Sequence, residues 1–257
     1  MRVRDQLHRT LHFSEQPRTI VSLVPSQTEL LVALGLKDRL VGITKFCVHP
    51  KELRKEVAIV GGTKKISFEK IAALQPDVIV CNKEENTKEM VNSLSAIAPV
   101  WVSDIHYVPE SLEMVALLGE LFSVQEKAYK IIAAITSEKK SFTQFMKGRP
   151  SKKVAYIIWK DPYMVAGKNT FIDHLLQCNH FENIMLEDQG RYPEIDVALL
   201  KQVDLVMLSS EPFPFKKNHV LELQQQLGVE VKLVDGEYFS WYGSRLQKAF
   251  EYFKTLH

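Results

Sequence analysis

Residues 109–146 read PESLEMVALLGELFSVQEKAYKIIAAITSEKKSFTQFM. Leu112, Val115, Ala116, Leu118, Leu121, Ala128, Ile131, Ile132, Ile135, Phe142 and Phe145 recur at the three- and four-residue spacing of a helix with one apolar face. Pro109 opens the stretch, and Gly148, Pro150 and Ser151 close it. No proline interrupts it, and Gly119 is its one glycine. The pattern predicts a continuous helix of about 37 residues, roughly 55 Å long at 1.5 Å per residue. That is far above the mean helix of about 11–12 residues.

Similar material lies on both sides of this helix. Thr19-Ile-Val-Ser-Leu-Val24 is a short β-branched strand ended by Pro25, and Ser26-Gln-Thr-Glu29 reads as a capping box before Leu30 and Leu31. Strands follow at Val57–Val60, Val78–Val80 and Pro99–Val102, with helical segments between them. After the helix come strands at Val154–Ile158, Asp204–Leu208 and Val229–Val234, and Thr170–Asp173 forms a second capping box. The segment Phe68–Val80 resembles Ile195–Met207, and Val100–Asp104 resembles Val231–Asp235. The opening strands near Ile20 and Ala155 are offset alike, by roughly 127–135 residues. The chain therefore reads as an α/β protein of two lobes (residues 1–108 and 148–257) joined by the helical segment 109–147.

Composition narrows the function. The chain has 257 residues, 46% hydrophobic and 25% charged, with 33 Lys and Arg against 31 Asp and Glu. A net charge of +2 gives no reason to expect nucleic acid or an anionic membrane as partner. Three cysteines without a CxxC pair argue against a disulfide framework or a thiolate zinc site. The N-terminal residues include basic side chains but no apolar core, so no secretory signal is read. That predicts a cytoplasmic protein, or a periplasmic one if a leader lies outside this sequence. With no large spare apolar surface indicated, a monomer is expected.

Enzyme signatures are missing. There is no GxGxxG, P-loop, GxSxG or HExxH. Cys47-Val48-His49 supplies only two ligands for a soft metal, and His49 with Glu237 would need further groups converging on them. His49 and Asp161 are the polar candidates for catalysis, and nothing in the sequence joins them. No catalytic residue, resident metal or cofactor is assigned, and the chain is read as non-catalytic.

The aromatic loops stand out instead. Trp159-Lys-Asp-Pro-Tyr163, Arg191-Tyr192-Pro193, Tyr238-Phe-Ser-Trp-Tyr242 with Arg245, and Lys45-Phe46 with Lys83 each follow a strand. Ligands of open α/β sheets bind at the carboxyl ends of strands. Ring faces beside Arg and Lys suit a large, flat, partly anionic ligand. Phe239 is read as loop packing, whereas Trp159, Tyr192 and Trp241 are read as site residues.

Arg18-Thr-Ile-Val-Ser-Leu-Val-Pro-Ser-Gln-Thr-Glu-Leu-Leu31, Val41-Gly-Ile-Thr44 and Phe68–Val80 resemble the vitamin B12 and ferric-siderophore binding proteins of ABC importers. The likeness is closest to the cobalamin-binding branch. It extends to Glu182-Asn183-Ile184 and to Trp241–Arg245. It implies two Rossmann-like lobes, one long helix as a backbone, and a ligand cleft between the lobes. The ligand implied is a corrinoid such as cobalamin, or a similar metal chelate such as a ferric siderophore or haem. Carried over by position, the pattern puts Pro25 and Phe46 on the first-lobe side. It puts Trp159, Tyr163, Tyr192, Tyr238 and Arg245 on the second-lobe side. Glu69 matches the acidic residue with which the family's first lobe docks on importer membrane subunits. The chain departs from the pattern at Ala198, where a second docking carboxylate is expected and Glu194 is the nearest acid. It departs again near Gly62 and Cys81 or Asn82, where the pattern carries tryptophans. The absence of a leader in this sequence and Ala198 leave a second reading, a cytoplasmic corrinoid carrier or sensor with no importer.

Overall fold

A computed structural model describes all residues from Met1 to His257. The first strands form a short antiparallel hairpin, β1 (Arg2–Arg4) with β2 (Thr10–His12). Then come β3 (Ile20–Ser22), α1 (Pro25–Ala33), β4 (Leu40–Thr44), α2 (Leu53–Glu56), β5 (Ala58–Gly61), α3 (Phe68–Ala73), β6 (Val78–Asn82), α4 (Lys88–Leu94) and β7 (Val100–Ser103). Two longer helices follow, α5 (Val108–Leu121) and α6 (Gln125–Met146). The rest of the chain is β8 (Lys152–Trp159), β9 (Met164–Val165), α7 (Phe171–Cys178), β10 (Phe181–Asn183), β11 (Leu205–Ser209), α8 (Lys217–Leu227), β12 (Glu230–Val234), α9 (Glu237–Ser240) and α10 (Leu246–Lys254).

The chain divides into two compact units. Unit 1 holds Met1–Ile105, Pro109–Ser137 and the returning segment Trp241–Gln247, and unit 2 holds His106–Val108, Glu138–Ser240 and Lys248–His257. In unit 1 the parallel sheet runs β5-β4-β3-β6-β7. Its strands are near-continuous apolar runs because helices cover both faces of such a sheet. Val21, Leu23, Ile79, Cys81, Val100 and Val102 form one core cluster with Ile71 and Leu94 of the crossover helices. In unit 2 the parallel order is β10-β8-β11-β12, with β9 antiparallel to β8. Its core gathers Ala155, Ile157, Val206, Leu208 and Leu223. The strands matched by the internal repeat hold equivalent places: β3 pairs with β6 as β8 pairs with β11, and β6 pairs with β7 as β11 pairs with β12.

Two local expectations are corrected. The helix over 109–146 is not continuous. Ser123 takes φ +54°, and the amides of Ser123 and Val124 bond back to the carbonyls of Glu120 and Gly119, at 3.2 and 2.8 Å. This is a Schellman ending with serine in the left-handed position. It lets α6 turn back so that a Cβ on Gly119 would lie 2.5 Å from the Ala128 Cβ. The first capping box is also absent. Pro25, with φ fixed and no N–H to lose, occupies the first turn of α1, and Val24 is the N-cap with no side-chain bond. The second cap forms as expected: Thr170 Oγ1 accepts from the Asp173 amide at 3.0 Å.

The N-terminal hairpin seals one sheet edge. Gln6 N–H donates to the Val102 carbonyl, the Asp5 carboxylate accepts from the Val102 amide, and Arg9 donates to the Val100 carbonyl. The Val100 carbonyl and both backbone groups of Val102 on edge strand β7 are thereby satisfied.

Candidate functional site

The strands of unit 1 deliver a row of polar side chains to the carboxyl edge of the sheet. Ser22 ends β3, Thr44 ends β4, Asn82 ends β6 and Ser103 ends β7, and all four are buried. Thr28 of α1 donates to Ser22 Oγ at 2.8 Å. Asn82 Nδ2 donates to Ser103 Oγ at 2.9 Å, while its Oδ1 accepts from the amides of Glu84 and Glu85. Gln27 Nε2 also donates to Ser103 Oγ and reaches the Tyr242 hydroxyl at 3.4 Å. Sequence reading missed this row, although Ile-Val-Ser22, Gly-Ile-Thr44, Val-Cys-Asn82 and Trp-Val-Ser103 each show an apolar run ending in a small polar residue.

Burial fixes the ionisation of this row. Burial pushes the Tyr242 phenol far above its usual range, so it stays a neutral donor. Glu85 nearby is also pushed up by burial, against the pull of Lys64 and Thr63. Cys47 faces inward, its thiol against Thr28 Oγ1 at 3.1 Å and Thr44 Oγ1 at 3.3 Å, and burial raises its pKa. It offers His49 no shared ligand. No three His, Cys, Asp or Glu side chains come together to hold a metal ion.

The predicted site residues of unit 1 gather at this edge. Pro25 starts α1 directly after β3. Phe46 follows β4 with its ring about half exposed (49%), and the Lys45 ammonium lies 5.0 Å from the ring centroid. A Cβ on Gly62 would meet the Phe46 ring at 3.1 Å, so this ring fills the space beside Gly62. Trp241 meets the His49 ring edge-on at 5.4 Å.

Arg245 overturns one expectation. The resemblance puts it on the second-lobe side, but Trp241–Gln247 belongs to unit 1. The Arg245 guanidinium forms a bidentate pair with Glu29 of α1, at 2.8 and 3.0 Å, and stacks 4.7 Å from the Trp241 ring centroid. Gly243 N–H bonds Ser111 Oγ at 2.9 Å. These contacts recruit the segment to unit 1, more than two hundred residues along the chain from Glu29.

In unit 2 the carboxyl edge is aromatic. Trp159 ends β8, is 40% exposed, and stands edge-on to Phe213 at 5.7 Å. Tyr163 packs half-buried on the unit 2 core. The loop carrying Tyr192 is pinned beside β9, because Gly167 donates to the Arg191 carbonyl at 2.7 Å and Val165 to that of Pro193 at 3.0 Å. Tyr238 stacks on Tyr252 at 4.7 Å. Phe239 is fully buried against Tyr156 and Phe253.

Glu69 is exposed in the first turn of α3, behind the Ser67 cap and beside half-exposed Phe68. Ala198 is exposed at the start of the 3-10 turn Val197–Gln202. The internal repeat aligns Glu69 with Asp196, but the Asp196 carboxylate accepts from the Ala198 amide at 2.8 Å and caps that turn. A cavity of about 400 Å³ lies at the opposite edge of the unit 1 sheet, lined by His12, Gln16, Arg18, Asp77 and Pro99 among others. It sits where strands begin, and none of the predicted site residues reaches it. No helix is long and apolar enough to cross a membrane.

The family model described as periplasmic binding protein matches residues 20–208. An uncharacterised ABC transporter substrate-binding lipoprotein, YvrC of Bacillus subtilis, is 27% identical over 205 residues, covering 77% of this chain and 65% of that protein. The vitamin B12-binding protein of Salmonella paratyphi A is 24% identical over 221 residues, covering 83% and 79%. Among solved structures, the periplasmic haem-binding protein RhuT of Roseiflexus sp. RS-1 aligns with a TM-score of 0.78 at 17% identity, over 93% of this chain and 98% of that one.

Proposed function

Because this chain belongs to the periplasmic binding protein family, we propose that it is the substrate-binding protein of an ABC importer. In this reading it is non-catalytic and binds a corrinoid, or a metal chelate of similar size, one to one. The observation that carries the reading is the dressing of the carboxyl edges. Phe46, just after β4 in unit 1, and Trp159, at the end of β8 in unit 2, keep large ring faces in solvent. Exposed rings at strand carboxyl ends suit a broad, flat ligand. The named relatives support the ligand class, since one is a vitamin B12-binding protein. Glu69 is the group proposed to meet the importer's membrane subunits.

The exposed rings would meet the ligand's faces, and the buried polar row of unit 1, hydrogen-bonded within the protein, would hold its edge in shape. Neither role requires a bond to be made or broken. The test is a binding panel of cyanocobalamin, haemin and a ferric hydroxamate, each followed by quenching of tryptophan fluorescence. One chelate binding at micromolar strength or better, about −8 kcal/mol, is the expected result. Failure of all three would overturn the assignment.

A further inference from the structure

The resemblance alone would assign Arg245 to an anionic group of the ligand. The structure gives this guanidinium another partner. Nε and Nη2 donate to the two carboxylate oxygens of Glu29, at 3.0 and 2.8 Å. Its side chain is only 11% exposed and that of Glu29 25%. A bidentate guanidinium–carboxylate pair is the strongest geometry available to an arginine. Other cations at this edge are also occupied. Lys83 is paired with Asp104 at 2.5 Å, and Lys64 donates to the Glu84 carbonyl. Lys45 lies over the Phe46 ring.

We infer that Glu29 is a specificity-determining residue: by neutralising Arg245 beside Trp241, it selects ligands with a neutral carboxamide rim over ligands that present carboxylates. A carboxylate-bearing ligand arriving here meets a guanidinium already shared with one carboxylate, and like charge opposes a second. A carboxamide meets no such repulsion. Glu29 acts through Arg245 and not by touching the ligand, so it is a positioning residue. The inference rests on the reading that Trp241 and Arg245 belong to the ligand site.

The test compares wild type, Glu29→Gln, Glu29→Asp and the double variant Glu29→Gln/Arg245→Gln. Two probes are used, cyanocobalamin with its carboxamides and haemin with its two propionates. The wild type is expected to favour cyanocobalamin. Glu29→Gln should shift the ratio of affinities toward haemin by about tenfold. Glu29→Asp should keep the wild-type ratio, and the double variant should return to it. An unchanged ratio in Glu29→Gln, or a shift that survives in the double variant, would overturn the inference.

A second readout needs no ligand. In a Trp159→Phe background, the remaining indoles are Trp241 and the fully buried Trp101. Glu29→Gln should then raise iodide quenching relative to acrylamide quenching by about twofold, because removing one carboxylate beside the guanidinium makes the local field more positive. The double variant should not. If neither chelate binds any variant, the proposed function fails, and the iodide result still decides whether Glu29 neutralises Arg245.

Discussion

In unit 1, β3, β4, β6 and β7 end in Ser22, Thr44, Asn82 and Ser103, all buried and tied into hydrogen bonds. In unit 2 two strands end that way: Ser209 of β11 accepts from the Tyr156 hydroxyl at 3.2 Å, and Asn183 of β10 donates to Asp173 Oδ1 at 3.0 Å. There β8 ends in Trp159, which is 40% exposed, the neighbouring loops carry Tyr163 and Tyr192, and α9 carries Tyr238. Two sheets with matching strand pairings thus carry different chemistry on the same edge. The difference follows from burial. A buried polar group must be satisfied internally, so the unit 1 row is held in one arrangement. The unit 2 rings pack on one face or edge and leave apolar area to spare. The unit 1 edge is a fixed polar frame, and the unit 2 edge carries an exposed indole.

Breaking the frame should cost stability first. Asn82→Ala removes the acceptor for two backbone amides and a donor to Ser103. We expect a loss of about 2–3 kcal/mol in chemical denaturation. A change below about 0.5 kcal/mol would mean that the row is not a frame.

Gly119→Ala tests the turn between α5 and α6. The added methyl would lie 2.5 Å from the Ala128 Cβ. The overlap should cost about 1–3 kcal/mol, partly offset by about 1 kcal/mol of helix propensity. Gly119→Ala with Ala128→Gly should recover most of the loss, whereas equal loss in both variants would place the strain elsewhere.

Trp159→Ala should show the opposite profile to Asn82→Ala. Ligand affinity should fall about tenfold to a hundredfold, or roughly 1.4–2.7 kcal/mol. Stability should change by less than about 1 kcal/mol, because the ring is already part-exposed. Equal damage to both properties would make Trp159 a core residue.

The smallest effect concerns the C-terminus. His257 stacks on Phe181 at 5.0 Å, and burial with nearby Arg149 and lysines lowers its pKa from 6.5 to about 4. A lowered histidine pKa means that the unfolded chain takes up the proton first as pH falls. Stability is therefore full above about pH 6.5 and declines between there and about pH 4. His257→Gln should flatten that part of the pH profile, and an unchanged slope would assign it to other groups.

Much of this architecture is legible in the residues. The β-branched runs, their proline and glycine stops and the repeat between Phe68–Val80 and Ile195–Met207 mark both sheets before any coordinates. The break at Ser123 is not legible, because the apolar spacing resumes after it and serine carries no helix-stop signal. The hairpin at residues 2–12 is hidden because three-residue strands give too little alternation to read. Phe46 and Trp159 are legible as rings placed just after strands. The pairing of Arg245 with Glu29 is not, since only the folded chain brings α1 and the last loop together.

The most direct test of the account is a calorimetric titration with cyanocobalamin of wild type, Trp159→Ala and Asp77→Ala. Asp77 lines the cavity at the opposite edge of the unit 1 sheet. The account predicts one-to-one binding at micromolar strength or better, weakened at least about tenfold by Trp159→Ala and left unchanged by Asp77→Ala. Binding lost through Asp77 and kept without Trp159, or no heat with cyanocobalamin, haemin or a ferric hydroxamate, would contradict it.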